Sequence, residues 1–166
     1  MSTDDNLKEA FAGESQANRK SLAFARRADQ EGRPQIARLF RAAAAAETIH
    51  AHAHFDVMGG VRSTKDNLQH AIAGEGFEFE QMYPRFVAQA EQESNPAAAQ
   101  SFANAMAVER IHHALYTEAL EALRAGGDLP GAPMYVCPVC GNTVAGKPPA
   151  TCPICATPRD RFIHVE

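Results

Sequence analysis

The sequence predicts an all-α bundle of four long helices followed by a small metal-binding knuckle, and three observations carry that expectation. Residues 4–124 are dominated by Ala, Glu, Gln, Arg and Leu, with almost no proline inside long periodic runs. The segment Gly126-Gly127-Asp128-Leu129-Pro130-Gly131-Ala132-Pro133 then breaks the pattern abruptly. All four cysteines follow it, in two C-x-x-C pairs within nineteen residues. The expected organisation is a helical domain over 1–125, a linker over 126–133 and a cysteine domain over 134–166.

Four helices are expected, at Asp4–Glu31, Pro34–Met58, Lys65–Ser94 and Pro96–Arg124. Gly32-Arg33-Pro34 and Asn95-Pro96 are tight stops with proline at a helix start, so each joins an antiparallel hairpin. Between the hairpins, Gly59 to Thr64 spans only about 20 Å when extended. Frayed helix ends, or an exchange of hairpins between two chains, would satisfy that short connection. The chain is long enough, at 166 residues and 45% hydrophobic, to bury a core. Its net charge of −4 and lack of clustered Lys and Arg argue against nucleic acid or anionic membrane as a partner. With a polar, acidic start at Met1–Asn6 and no uncharged stretch of 18 residues, the expectation is a cytoplasmic protein.

The two hairpins repeat one another. Ala10-Phe11-Ala12-Gly13-Glu14 is echoed by Ala71-Ile72-Ala73-Gly74-Glu75, and Glu47-Thr48-Ile49-His50 by Glu109-Arg110-Ile111-His112. Pro34 precedes Glu47 by thirteen residues and Pro96 precedes Glu109 by the same thirteen. Each Glu-x-x-His therefore sits roughly 20 Å along its helix from the turn. These polar residues occupy stripes that should be apolar: Ile36, Phe40, Ala43, Glu47, His50, His54, Val57 on the second helix and Phe102, Met106, Glu109, His112, Tyr116, Leu120 on the fourth. The first contributes Leu7, Phe11 and Glu14, and the third Leu68, Ile72, Glu75, Phe79, Met82, Phe86, with Glu78 one turn from Glu75.

Carboxylates facing one another in a core cannot stay ionised without cations. Ferritin-like di-iron proteins meet that need with one Glu from each of two helices and a Glu-x-x-His pair from each of the other two. Glu14, Glu75, Glu47 with His50, and Glu109 with His112 match that count and spacing, and Glu78 is a seventh candidate. Oxygen plus imidazole donors suit iron or manganese. His54 reads as a neighbour of the site, while His52, His70, His113 and His164 have no register that recruits them. In the cysteine domain, Cys137-Pro-Val-Cys140 and Cys152-Pro-Ile-Cys155 are separated by eleven residues and predict a four-thiolate site for iron or zinc. So short a segment builds little core, and the metal supplies most of its folding energy.

The motifs F-A-G-E-S-Q-A-N-R-K, A-E-T-I-H-A-H-A-H, A-I-A-G-E-G-F-E-F-E-Q-M-Y-P, E-R-I-H, C-P-V-C-G and C-P-I-C together make the chain resemble the rubrerythrins over nearly its whole length. That resemblance implies a ferritin-like di-iron domain and a rubredoxin-like iron domain. It implies di-iron ligands at Glu14, Glu47, His50, Glu75, Glu78, Glu109 and His112, which would be the catalytic set, and a mononuclear iron on Cys137, Cys140, Cys152 and Cys155, with zinc as the alternative ion. Glu78 and His50 would be the carboxylate and imidazole that exchange on reduction, and Tyr83 matches a tyrosine of the family beside the site. The implied activity is reduction of hydrogen peroxide to water in oxidative-stress defence. Electrons would come from a rubredoxin or an NAD(P)H-dependent reductase, in a homodimer or larger homo-oligomer whose relay runs between subunits because the metal sites of one chain lie far apart. The alternative is an iron-binding or ferroxidase-type protein with a structural zinc knuckle. Two departures stand out: Ser21 replaces a tyrosine common in the family, and Ala156 replaces the more usual glycine after the last cysteine.

Overall fold

The computed structural model describes residues 2–166. The fold class is the expected one: helices throughout the first three quarters, then a small strand module carrying the cysteines. The chain forms two compact units, residues 1–62 and 63–166.

The first unit is a helical hairpin of α1 (Thr3–Gln30) and α2 (Pro34–Val57). Ser2 opens α1 with a capping box: its hydroxyl accepts from the Asp5 N–H at 3.1 Å, and the Asp5 carboxylate accepts from the Ser2 N–H at 2.9 Å. Gly32, at φ 70°, makes the turn, and Pro34 starts α2 with its fixed φ and no orphaned donor. The seam between the helices is made of alanine. Ala37, Ala44 and Ala51 recur every seven residues along α2 and, with Ala25 and Ala28 of α1, are at most 6% exposed. Small side chains let the two backbones approach closely, and Asn18 spans the gap by donating to the Ala44 carbonyl at 2.7 Å and to Thr48 Oγ1 at 2.8 Å. Phe11 stacks on Phe55 at 5.0 Å, and Phe24 meets Phe40 edge-on at 5.6 Å. The seam lies beside the expected stripe rather than on it: Ile36 and Val57 are 50% and 72% exposed.

In the second unit, α3 (Thr64–Phe77), a π-helical turn (Glu78–Met82) and α4 (Tyr83–Gln92) form one run against α5 (Pro96–Arg124). Ser63 caps α3 by accepting from the Asp66 N–H, and Asn95 caps α5 by accepting from the Ala98 N–H. The third helix is thus one run, as expected, but with a π turn inside it that the regular stripe does not show. At its π turn the Tyr83 N–H reaches back five residues to the Glu78 carbonyl. Pro84 explains it: without an N–H it cannot continue the regular ladder. Tyr83, Phe86 and Phe102 then pack α4 onto α5, with ring centroids 5.5 to 6.3 Å apart.

The cysteine module belongs to the same unit. Strands β1 (Met134–Val136), β2 (Thr143–Ala145) and β3 (Ile163–Val165) form an antiparallel sheet in the order β2-β1-β3, with Tyr135 opposite both Val144 and His164. Among the described residues no helix is long and apolar enough to cross a membrane.

Candidate metal centres

The repeat read in the sequence becomes a repeat in space. In the first unit Glu14 of α1 and Glu47 and His50 of α2 place their donor atoms within 4.8 Å of one another; in the second, Glu75 of α3 and Glu109 and His112 of α5 do the same. The His50 Nδ1 to Glu47 Oε2 distance is 3.0 Å, and the His112 Nδ1 to Glu109 Oε2 distance is 2.8 Å. Across helices, His50 Nδ1 lies 4.0 Å from Glu14 Oε2, and His112 Nδ1 lies 3.8 Å from Glu75 Oε1. Each helix pair therefore builds the same three-donor cluster.

The two clusters differ in burial. Glu75 and Glu109 are 18% exposed, Glu14 and Glu47 31% and 26%. Burial, reinforced by the Glu109 carboxylate and the Glu78 charge, pushes Glu75 up to about 7. Glu14 is raised chiefly by its hydrogen bond with Glu47, which is lowered by the same bond. In each case two carboxylates close to one another disfavour double ionisation, which a bound cation would relieve. Glu78 stands outside the three-donor clusters. It is nevertheless raised by burial and by the Glu109 charge, so it lies near enough to the second cluster to feel its carboxylates. Tyr83, at the end of that turn, has its phenol raised by burial and then by the charges of Glu78, Glu109 and Glu75. His54, one turn beyond His50, touches the first cluster electrostatically by favouring ionised Glu14.

The four sulfurs form a third cluster, again within 4.8 Å. Cys137 Sγ lies 3.5 Å from Cys155 Sγ and Cys140 Sγ 3.6 Å from Cys152 Sγ, with no disulfide. A tetrahedral ion with bonds of about 2.3 Å separates its sulfurs by roughly 3.8 Å, so the cage fits one ion. Two matching knuckles make it. Gly141 N–H donates to the Cys137 carbonyl at 2.9 Å, and Ala156 N–H to the Cys152 carbonyl at 3.0 Å. Burial works against the Cys137 thiolate, but the N–H groups of Cys140 and Val139 with Thr157 and Cys155 outweigh it and hold the thiol down at about 6. Cys152 is lowered in the same manner by the Cys155 and Ile154 amides, again against burial. Cys140 is pushed the other way, by burial and by the neighbouring sulfurs. Four thiolates in one cage need the cation to ionise together.

The comparisons with known proteins agree with this chemistry. A family model described as rubrerythrin matches residues 5–120, and a second, described as the rubrerythrin rubredoxin-like domain, matches residues 135–163. The chain belongs to the rubrerythrin family. Rubrerythrin-2 of Clostridium acetobutylicum is 35% identical over 96% of this chain and 95% of its own length. Nigerythrin of Nitratidesulfovibrio vulgaris is 36% identical over 84% of this chain and 75% of its own. Among solved structures, nigerythrin in a mixed-valence state matches with a TM-score of 0.59, 36% identity and coverage of 99% of this chain and 87% of that one. Its fully reduced, all-ferrous state gives 0.60. As a rubrerythrin the chain has iron cofactors, a Glu/His di-iron centre and a rubredoxin-like four-cysteine site, and the donor clusters above have the chemistry those groups require.

Sequence reasoning missed how the knuckle meets the helices. His112 Nε2 lies 2.9 Å from Thr143 Oγ1, and a Cβ on Gly141 would meet Val108 Cγ1 at 3.7 Å. The four-cysteine module thus rests on α5 of its own chain, against the cluster of Glu75, Glu109 and His112. The separation implied by the family resemblance does not hold for that cluster. No local pattern signals a contact between residues 31 apart.

Proposed function

We propose that this rubrerythrin is a non-haem di-iron peroxidase that reduces hydrogen peroxide to two waters, taking two electrons and two protons per turnover. The metal ligands and catalytic groups are Glu14, Glu47, His50, Glu75, Glu78, Glu109 and His112, with Cys137, Cys140, Cys152 and Cys155 on the mononuclear iron. The organisation is a di-iron domain over 1–125, a linker over 126–133 and a rubredoxin-like domain over 134–166. The observation that carries the reading is the pairing of two equivalent Glu/His clusters with a one-electron cage that touches one of them.

The di-iron centre would supply the two electrons, one from each metal. The protein's own groups prepare the site for it. Glu78, held on the π turn, is the carboxyl free of the three-donor clusters, and burial with the Glu109 charge favours its protonated form. It would hand its proton to the departing peroxide oxygen. The Tyr83 phenol, kept protonated by burial and three carboxylates, is a second donor at the same end of the site. His54 lies beside Glu14 and supports the first cluster from outside it.

Electrons would arrive singly at the cysteine cage from a rubredoxin or an NAD(P)H-dependent reductase. A homodimer in the cytoplasm is the proposed working form, and a compartment that keeps thiols reduced suits the ligand cysteines. Anaerobically reduced, metal-analysed protein mixed with hydrogen peroxide should reoxidise at both centres far faster than with oxygen, and lose that advantage in Glu78→Ala. Equal rates with peroxide and oxygen, or zinc alone on the cysteines of natively isolated protein, would favour an iron-handling protein with a structural zinc knuckle.

A further inference from the structure

The contact between the knuckle and α5 has a hydrogen-bond direction that can be worked out. The Gly141 carbonyl can only accept, and Thr143 Oγ1 lies 3.1 Å from it, so the threonine hydroxyl donates there. Its oxygen is then the acceptor for His112 Nε2, 2.9 Å away, and that nitrogen must carry a hydrogen. In the neutral ring Nδ1 is left as a bare lone pair. It points at Glu109 Oε2 and Glu75 Oε1, two acceptors at 2.8 and 3.8 Å, and is the nitrogen that a metal ion held by those carboxylates would meet.

We propose that Thr143 is a positioning residue through which the four-cysteine module sets the tautomer and orientation of His112, presenting Nδ1 to metal at the cluster of Glu75 and Glu109. The assignment rests on the di-iron reading of that cluster. The seat is rigid at both ends. Thr143 is fixed in β2 opposite Val136, and its neighbour Asn142, 3% exposed, donates from Nδ2 to Cys152 Sγ at 3.6 Å. On the helix side Gly141 packs on Val108, one turn before His112. Three consecutive residues thus touch a ligand sulfur, the helix surface and a ligand imidazole. The Gly141 carbonyl is one residue from Cys140, so the two metal centres of one chain are joined by two hydrogen bonds and a short run of backbone.

The consequence is that metal affinity at a glutamate cluster depends on a residue of the other domain. Removing a hydrogen-bond partner of a metal-ligating histidine typically weakens binding by about 10- to 100-fold. The test uses full-length protein with zinc held on the four cysteines. Cobalt(II) is titrated into the Glu/His sites and followed by its weak visible bands. In a parallel cobalt-free sample, exchange of the His112 ring N–H is followed by nitrogen-15 NMR. Thr143→Val keeps the shape and the strand propensity and should weaken cobalt binding at the second cluster by about tenfold while exposing the ring N–H to exchange. Thr143→Ser, which keeps the hydroxyl, should restore both. Retention of zinc on the cysteines in both variants shows that the knuckle is intact. Unchanged cobalt affinity in Thr143→Val overturns the proposal. Cobalt binding indifferent to Glu75→Ala and Glu14→Ala would instead overturn the di-iron reading, and the ring N–H then decides alone whether Thr143 sets the imidazole.

Discussion

Ala156 closes the second knuckle in a conformation that belongs to glycine. Its φ is 60°, while its counterpart in the first knuckle is Gly141 at φ 85°. An L-residue held in the left-handed region costs about 1–2 kcal/mol. Glycine removes that strain but gives the unfolded chain more freedom, worth about 0.4–1 kcal/mol. Ala156→Gly should therefore stabilise the metal-bound module by roughly 0.5–1 kcal/mol, since the N–H that bonds the Cys152 carbonyl is kept. Metal binding and folding are one equilibrium in so small a domain, so the gain reads as an affinity increase of about two- to fivefold. The reverse change, Gly141→Ala, meets no steric barrier, because the new Cβ sits at ordinary contact distance from Val108. It should lose a similar factor. Both follow from competition between the zinc-loaded protein and a coloured chelator, read at equilibrium. If Ala156→Gly released its metal as readily as the parent, or more so, the backbone strain assigned to the second knuckle would be refuted.

Other expectations concern the helices. Glu75 in the metal-free protein is pushed from 4.5 up to about 7, so the folded state binds more protons than the unfolded one between those values. Stability of the metal-free protein should fall as pH rises through that window. Thermal unfolding should show the slope, and Glu75→Gln should flatten it. Pro84→Ala returns an N–H to the helix and should let the π turn relax, withdrawing Glu78; peroxide reactivity should drop by about tenfold or more with helical circular dichroism unchanged, and full reactivity would show that the turn does not position Glu78. Ala44→Leu crowds the alanine seam at a residue 1% exposed and should cost about 1–3 kcal/mol, visible as a lowered melting temperature. Ile49→Ala, at an exposed site, should leave the hairpin's own stability nearly untouched.

Much of this was legible because the signals are local. Pro34 and Pro96 mark helix starts within a residue of where they lie, and the two Glu-x-x-His pairs, in the same register from those prolines, form clusters whose distances agree within 0.2 Å. The seam of the first hairpin is less legible, because close helix approach selects small residues, here Ala37, Ala44 and Ala51, which a stripe of large apolar residues does not mark. Pro84 did carry a signal for the π turn, since a proline inside a helical run must disturb its ladder. The Thr143 contact had none: it depends on how a folded knuckle settles on a folded helix, which no spacing along the chain encodes.

His112 bonds through both ring nitrogens, to Glu109 and to Thr143, while His50 is held at Nδ1 by Glu47. His112 is clasped between its cluster and the Thr143 hydroxyl and is 27% exposed at its side chain, whereas His50, its twin by repeat, is 55% exposed. The two hairpins echo one another in sequence, and in the second the knuckle adds the Thr143 contact. The second cluster thus has an imidazole whose orientation is set at both ring nitrogens by groups of the protein itself.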